Sequence, residues 1–148
     1  MSKKQKIGQI KQLFISSIEE KKRVSKNSIN IDIKGIIDDK YYDTNQERSI
    51  LLSPIHAYEL MKEKNIEASY GQLGENILVN FNPYDLDEGT HLFIGEAILE
   101  ITIECTICNL LTKIDNKVPK LLKKDRGVFA KVIKEGTLNI NDQVSILN

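Results

Sequence analysis

The sequence predicts a mostly β domain, a barrel or a sandwich of short strands with one or two short helices. Two observations lead to this prediction. The chain has 148 residues, 41% of them apolar, which is enough to bury one hydrophobic core but not two. Short runs in which apolar and polar residues alternate recur along it, and this period of two is typical of half-buried strands. We therefore treat residues 1–148 as a single domain.

The alternating runs lie between turn-forming residues, as in barrels and sandwiches. Their apolar members are Ile29, Ile31 and Ile33; Ile77, Val79 and Phe81; Leu99, Ile101 and Ile103; Val128, Ala130 and Val132; Leu138 and Ile140; and Val144 and Ile146. These runs predict six or seven strands. Residues 82–90 are acidic and rich in turn-forming types. We expect them to connect two strands, because they lack the spacing and the final Glu of a calcium-binding EF-hand loop.

One helix is predicted among the strands. Ser53 can cap it and Pro54 fits its first turn. The apolar face of this helix consists of Ile55, Tyr58 and Met61. His56 falls in the first turn and is expected to be a surface or capping residue. His91 precedes a strand and has no acidic or cysteine partner at metal-ligand spacing, so neither histidine is expected to be catalytic.

The charges of the chain are balanced. Lys and Arg number 21, and Asp and Glu number 21, so no overall field favours nucleic acid or an anionic membrane. Residues 1–23 hold seven basic and two acidic residues, which we interpret as a solvated terminus and loop rather than an anion-steering patch. The chain lacks both a long apolar run and the features of a secretory signal. We expect a cytoplasmic protein.

Cys105 and Cys108 are the only cysteines, which argues against a disulfide scaffold and against a four-cysteine zinc site. Strict alternation from Leu99 places Cys105 on the core face and Cys108 on the opposite face. A redox dithiol or half of a metal site would need a bend in the strand, whereas a single functional thiol at Cys108 would not. Two inert apolar cysteines are the remaining alternative. A thioredoxin-like site is disfavoured, because that motif opens a helix.

Two further segments carry candidate chemistry. Residues 71–77 contain two glycines three positions apart, so that successive amides can form an anion-binding concavity, and an ordinary turn is the alternative. Residues 117–127 contain five basic residues and one acidic residue. Such charges can lower the pKa of a nearby cysteine or hold an anionic ligand, and a solvated loop is the alternative.

In this order the segments resemble the MOSC domain, which is found at the C-terminus of molybdenum-cofactor sulfurases. The run Gly71-Gln72-Leu73-Gly74-Glu75-Asn76-Ile77 matches the Gly-x-x-Gly-Glu-Asn-Ile/Leu signature of that family completely. Residues 94–102 resemble the strand that follows the signature, and Cys108 stands where the family has its characteristic cysteine. Residues 126–132, with Gly136 and Asp142, resemble the family's ending. Residues 35–40 and 48–52 resemble the region before the helix.

The resemblance implies a compact, mostly antiparallel barrel like that of pyruvate kinase, of the short stand-alone MOSC type. It also implies an accessory role in molybdenum-cofactor metabolism, in which the protein binds the cofactor or carries sulfur as a persulfide of Cys108. Cys108 would be the metal ligand or the sulfur acceptor. The residues expected to bind molybdopterin or to shape its loop are Gly71, Gly74, Glu75, Asn76, Arg48, Cys105, Lys124 and Arg126. A cysteine desulfurase or a cofactor-biosynthesis protein is the expected partner.

The sequence also departs from the family pattern. The frequent Arg-x-Pro-Cys reads Cys105-Thr106-Ile107-Cys108, and Gly-Asp-Arg-His reads Asp38-Asp39-Lys40-Tyr41. Loss of the arginine, the proline and the histidine weakens the expectation of tight cofactor binding. Two alternatives are a molybdenum-dependent reductase of N-hydroxylated compounds and a non-catalytic scaffold with a decayed pocket, and these losses favour the scaffold.

Overall fold

The computed structural model describes residues 3–104, 113–125 and 127–147, and it confirms the predicted barrel. The strands are β1 Lys4–Ser17, β2 Lys22–Lys26, β3 Ser28–Asp32, β4 Gly35–Ile36, β5 Ile50–Pro54, β6 Ile77–Val79, β7 His91–Ile94, β8 Ala97–Glu104, β9 Val128–Lys134, β10 Gly136–Asn139 and β11 Gln143–Leu147. Two helices have bounds wholly within the described residues, α1 Ile55–Glu63 and α2 Val118–Leu121, and short 3-10 turns lie at Gln46–Arg48 and Pro83–Asp85.

Seven strands form the closed ring, in the order β11-β7-β8-β9-β5-β6-β1, and the pairing of β1 with β11 closes it. Neighbouring strands of the ring are antiparallel except β5 and β6, which are parallel. β2 pairs with the end of β1, and β10, β3 and β4 form a separate small sheet. Closure leaves the ring itself without free edges. The described residues include no helix long and apolar enough to cross a membrane.

The long strand β1 corrects the prediction of a solvated terminus and loop. It pairs in turn with β11, β6 and β2, and it buries Ile10, Leu13, Phe14 and Ile15. Its register shifts once opposite β11 and once opposite β6. Each shift changes the face on which the following side chains lie, so the period of two is lost along the strand. The lysines near its start are exposed, but its backbone is part of the barrel.

The six runs predicted as strands correspond to β3, β6, β8, β9, β10 and β11. Three of these strands are shorter than predicted: Ile33 lies in the turn after β3, Phe81 lies beyond β6, and Ile140 lies beyond β10. Residues 82–90 connect β6 to β7, as predicted. The apolar side chains of the barrel strands fill its interior, with Ile10, Leu52, Ile77, Leu99 and Ala130 among those without solvent exposure.

A second apolar cluster lies between the barrel wall and the two helices. Ala57 and Met61 of α1 and Val118 of α2 pack with Leu78, whose strand neighbours Ile77 and Val79 face the barrel interior. The two helices therefore cover the outer face of β6.

The predicted cap of α1 is wrong. The residue at the helix start is Pro54, without a side-chain cap hydrogen bond. Ser53 pairs with Leu78 within the parallel ladder of β5 and β6, and Pro54 pairs with Val79. Because the ladder holds Ser53 in a strand, the helix begins later, at Ile55.

The segment after β4 folds back on β1 through Asp39, which is 1% exposed. Its Oδ1 accepts a hydrogen bond from the N–H of Ser16 at 2.7 Å, and its Oδ2 accepts one from the N–H of Tyr41 at 3.0 Å. The preceding residue, Asp38, has a φ of 74°, in the left-handed region that favours glycine. The resembled family has glycine at this position, so the backbone conformation is kept although the glycine is not.

We predict that Asp38→Gly leaves the protein as stable as the wild type or stabilises it. Glycine removes the strain of a positive φ in the folded state, and this gain offsets the greater conformational entropy of glycine in the unfolded chain. At the exposed Asp87, which lacks a positive φ, Asp87→Gly should destabilise by ~0.5–1 kcal/mol. Urea unfolding of both variants measures the difference, expected to be about 1 kcal/mol. Equal losses in the two variants would contradict the assignment of strain to Asp38.

Candidate functional site

The signature segment 71–77 forms a tight loop that leads into β6. Gly71 and Gly74 have φ values of 94° and 87°, which explains the two glycines, because other residues rarely adopt this region. Gly71 also packs against Phe14 of β1, whose ring atoms would lie 3.2 Å from an added Cβ. The loop is therefore fixed closely to the barrel wall.

Asn76 joins the strands on both sides of β6. Its Oδ1 accepts a hydrogen bond from the N–H of Leu51 at 2.9 Å, and its Nδ2 donates to the carbonyl of Phe14 at 3.2 Å. Its backbone N–H donates to the carbonyl of Leu51, and its carbonyl accepts from the N–H of Phe14, both at 2.8 Å. Asn76 is 6% exposed. Its amide group is thus used in connecting β5 to β1.

Glu75 has no solvent exposure and lies beneath α1. The hydroxyl of Tyr58 donates to its Oε2 at 2.6 Å, and the N–H of Gly71 donates to the same oxygen at 3.1 Å. The Tyr58 hydroxyl in turn accepts from the N–H groups of Gly71 and Leu73 at 3.0 and 3.2 Å. Glu75 and Tyr58 therefore organise the loop from within.

The other carboxyl oxygen of Glu75, Oε1, is buried without a hydrogen-bond partner among the described residues. Burial raises the pKa of Glu75, and the hydrogen bond from Tyr58 opposes that rise. The pKa of Tyr58 is also raised. Burial is the main cause, and the negative charge of the nearby Glu75 is the second. The guanidinium of Arg23 donates to the backbone carbonyl of Glu75 and, at 3.1 Å, to the hydroxyl of Ser16. Its partial burial lowers the pKa of Arg23.

The strand β8 leads to the two cysteines and ends at Glu104. Its register against β9 shifts between Ile101 and Glu104, with Thr102 buried and Ile103 only half-buried. The alternation predicted through Ile103 is wrong, because this shift changes the face of the following side chains. The assignment of Cys105 to the core face loses its basis, and Cys105 and Cys108 lie outside the described residues.

A surface cavity of about 460 Å³ lies at the end of β8. It is lined by Tyr84, Leu86, Glu88, Ile101, Thr102, Ile103, Glu104 and Val128. Both charged residues of this lining are carboxylates. A neighbouring cavity of the same size adds Glu47, Glu100 and Lys131 along the outer face of β8. We call these two cavities together the acidic groove.

Arg48 and Lys124, two of the cations expected to bind the cofactor, do not line the acidic groove. The guanidinium of Arg48 lies over the ring of Phe129, 5.6 Å from its centre. Lys124 is exposed, and its backbone carbonyl accepts a hydrogen bond from Asn82 at 2.9 Å. Arg126 lies outside the described residues.

His91 has a partner that its sequence neighbours did not indicate. It is the first residue of β7 and pairs with Glu100 of β8, whose Oε1 lies 2.9 Å from its Nε2. Glu100 also contacts Lys131 at 3.3 Å, and Lys131 contacts Glu47 at 3.4 Å. The pKa of Glu100 is lowered mainly by its hydrogen bond with His91, and to a smaller extent by its hydrogen bond with Lys131. The sequence spacing around His91 did not indicate Glu100 as a partner, and the register of β7 and β8 supplies it.

A family model described as the MOSC domain matches residues 39–145, so the chain belongs to the MOSC domain family. No curated protein matches the sequence. Among solved structures, the YuaD protein of Bacillus subtilis has a TM-score of 0.83 at 16% identity, covering 100% of this chain and 99% of that one. YiiM of Geobacillus stearothermophilus has a TM-score of 0.71 at 15% identity, covering 96% of this chain and 76% of that one. YiiM of Escherichia coli has a TM-score of 0.69 at 14% identity, covering 95% and 70%. At such identities these likenesses concern the fold.

MOSC domains are associated with molybdenum-cofactor enzymes, so the fit of the cofactor can be examined on the described residues. Its phosphate needs cations or convergent N–H donors, whereas the cavity at the end of β8 presents Glu88 and Glu104. The described residues also contain no group of three or more His, Cys, Asp or Glu able to hold a metal ion. Glu75 and Asn76 direct their polar groups to the protein itself. The described residues do not form a site that fits the group.

We predict that Glu75→Gln changes how stability depends on pH. Because the folded pKa of Glu75 is raised, the folded protein holds a proton that the unfolded chain loses above about pH 4.3. Wild-type stability therefore falls as pH rises from there, by at most ~1.4 kcal/mol per pH unit, until the folded pKa is passed. The variant lacks this fall, so its stability relative to the wild type should increase as pH rises above about 4.3, until the folded pKa of Glu75 is passed.

Urea unfolding across this range measures the trend. The control is Glu100→Gln, for which the sign is opposite: a lowered folded pKa stabilises the wild type above the unfolded pKa, and this advantage is lost as pH falls. A Glu75→Gln difference that stays constant with pH would show that Glu75 does not retain its proton on folding.

Proposed function

We propose that this protein is an accessory component of molybdenum-cofactor metabolism that carries sulfur as a persulfide of Cys108. The observation that supports this most is the family match over residues 39–145, which spans both the signature loop and the position of the family's cysteine. The chain enters the cysteine segment from Glu104, and this residue lines a cavity of about 460 Å³. A cavity of this size is suitable for a small acceptor molecule or for the tip of a partner's loop.

The transfer step needs one thiolate and one persulfide donor. The thiolate of Cys108 attacks the terminal sulfur of a hydropersulfide on a partner protein. The donor's S–S bond breaks, a new S–S bond forms on Cys108, and the donor leaves as a thiolate. One sulfur atom moves and no external oxidant is required. Thiolates are suited to this exchange because the thiolate is the nucleophilic form of cysteine. A cysteine desulfurase is the class of partner that supplies such a persulfide.

Sulfur transport is favoured over retention of the cofactor for an electrostatic reason. Glu88 and Glu104 flank the cavity at the end of β8 and would repel a phosphate. The side chains of Arg48 and Lys124 do not line either cavity of the acidic groove. A persulfide on Cys108 requires no phosphate site. In this proposal Glu75 and Asn76 shape the loop and do not contact a ligand.

We predict that purified wild-type protein, mixed with a persulfide donor, gains one sulfur atom at Cys108. Cys108→Ser should lose this gain completely, whereas the matched control Cys105→Ser should keep at least half of it. Intact-protein mass spectrometry after alkylation, followed by peptide mapping, identifies the modified residue. In parallel, both proteins are incubated with released molybdopterin and assayed for retained cofactor. Retention without any persulfide would replace sulfur transport with cofactor binding, and neither signal in the wild type would reject both versions.

A further inference from the structure

We propose that the exposed lysines that follow the cysteine segment are the docking surface for an acidic protein that donates sulfur to Cys108. We call this surface the lysine face, and it consists of Lys113, Lys117, Lys120, Lys123 and Lys124. The inference rests on the proposed function, since it names the kind of partner that delivers the sulfur.

The lysine face is built on a fixed support. Val118 and Leu122 are at most 1% exposed and pack against α1 in the second apolar cluster. The N–H of Leu122 donates to the carbonyl of Val118 at 2.9 Å, which completes the turn of α2. Asn82 donates to the carbonyl of Lys124 at 2.9 Å and to the carboxylate of Asp125 at 3.3 Å. Burial of the apolar side therefore fixes the backbone that carries the lysines, so binding need not order that backbone.

The charges of the lysine face are not neutralised within the described part of the chain. None of its five lysines forms an ion pair there. The two aspartates of the segment are engaged locally: Asp115 accepts from the N–H of Lys117 at 2.8 Å, and Asp125 accepts from Asn82. Lys131, by contrast, contacts two carboxylates. The lysine face thus keeps its positive field for another molecule.

Along the chain, Glu104 of the acidic groove precedes the cysteines and the lysine face follows them. Glu104 ends β8 on one side, and Lys113 begins the described chain on the other, five residues after Cys108. A partner with an acidic surface is attracted by the lysines and repelled by the groove. Opposed charges on the two flanks set the orientation of an encounter and increase its rate.

An acidic protein fits these charges better than a nucleic acid does. Nucleic-acid binding proteins carry an excess of positive charge, whereas this chain has 21 basic and 21 acidic residues. A compact acidic patch on a protein needs only a few lysines to complement its charge.

The test uses two synthetic peptides, each carrying a cysteine persulfide, flanked in one by glutamates and in the other by lysines. The acidic peptide should transfer sulfur to the wild-type protein about tenfold faster at low salt. This preference should disappear near 1 M NaCl, where the Debye length is about 3 Å. The triple variant Lys117→Glu, Lys120→Glu, Lys123→Glu should lose the preference or reverse it.

The matched control places the same charge change on the N-terminal hairpin, with Lys3→Glu, Lys6→Glu and Lys22→Glu, all at exposed positions. This control should keep most of the preference for the acidic peptide. Circular dichroism checks that both variants are folded, and the corresponding Lys→Gln variant of the lysine face should show a smaller change in the same direction.

Several outcomes would overturn the inference. Equal transfer from both peptides, with free cysteine persulfide still accepted by Cys108, would reject the docking surface and leave the sulfur-carrier function standing. An equal loss in the hairpin control would attribute the effect to net charge alone. Salt-sensitive binding of a DNA duplex, without discrimination between the peptides, would assign the lysine face to nucleic acid. No transfer from any donor would reject the proposed function and the docking surface together.

Discussion

The barrel of this MOSC-family protein depends on the amide of Asn76. β6 has three residues and cannot by itself provide many hydrogen bonds to its neighbours β5 and β1. Asn76 adds four hydrogen bonds at the start of β6, two from its backbone and two from its side chain, to Leu51 and Phe14. Because these groups are buried, each would be costly to leave unpaired. The asparagine of the family signature therefore contributes to the closure of the ring.

Glu75 and the two glycines serve the same closure from the loop side. The left-handed conformations of Gly71 and Gly74 turn the chain beneath α1, where Tyr58 and Glu75 hold the loop by hydrogen bonds. This assigns the most recognisable motif of the sequence to the framework. In our proposal the chemistry belongs to Cys108, and the acidic groove and the lysine face decide which partners approach it. The departures from the family pattern near the cysteine and at residues 38–41 leave this framework intact.

The sequence predicted the barrel because most strands alternate with a period of two and the ordered motifs resemble one family. It did not predict β1, because two register shifts change the face of its side chains and hide the alternation. A shift in β8 removed the basis for assigning faces to the cysteines in the same way. The contact of Glu75 with Tyr58 spans 17 residues, and that of His91 with Glu100 depends on the register of the β7–β8 hairpin. The hydroxyl group of Tyr58, on the otherwise apolar face of α1, was the feature of the sequence that indicated a buried hydrogen-bond partner.

Asn76 holds β5 to β1 across the start of β6, and urea unfolding of Asn76→Ala tests this role most directly. The change leaves the N–H of Leu51 and the carbonyl of Phe14 buried without these partners, so we expect the free energy of unfolding to fall by about 3 kcal/mol or more. The exposed control Asn30→Ala, which loses a hydrogen bond from Thr137, should cost about 1 kcal/mol or less. A loss of less than about 1 kcal/mol for Asn76→Ala would contradict the account.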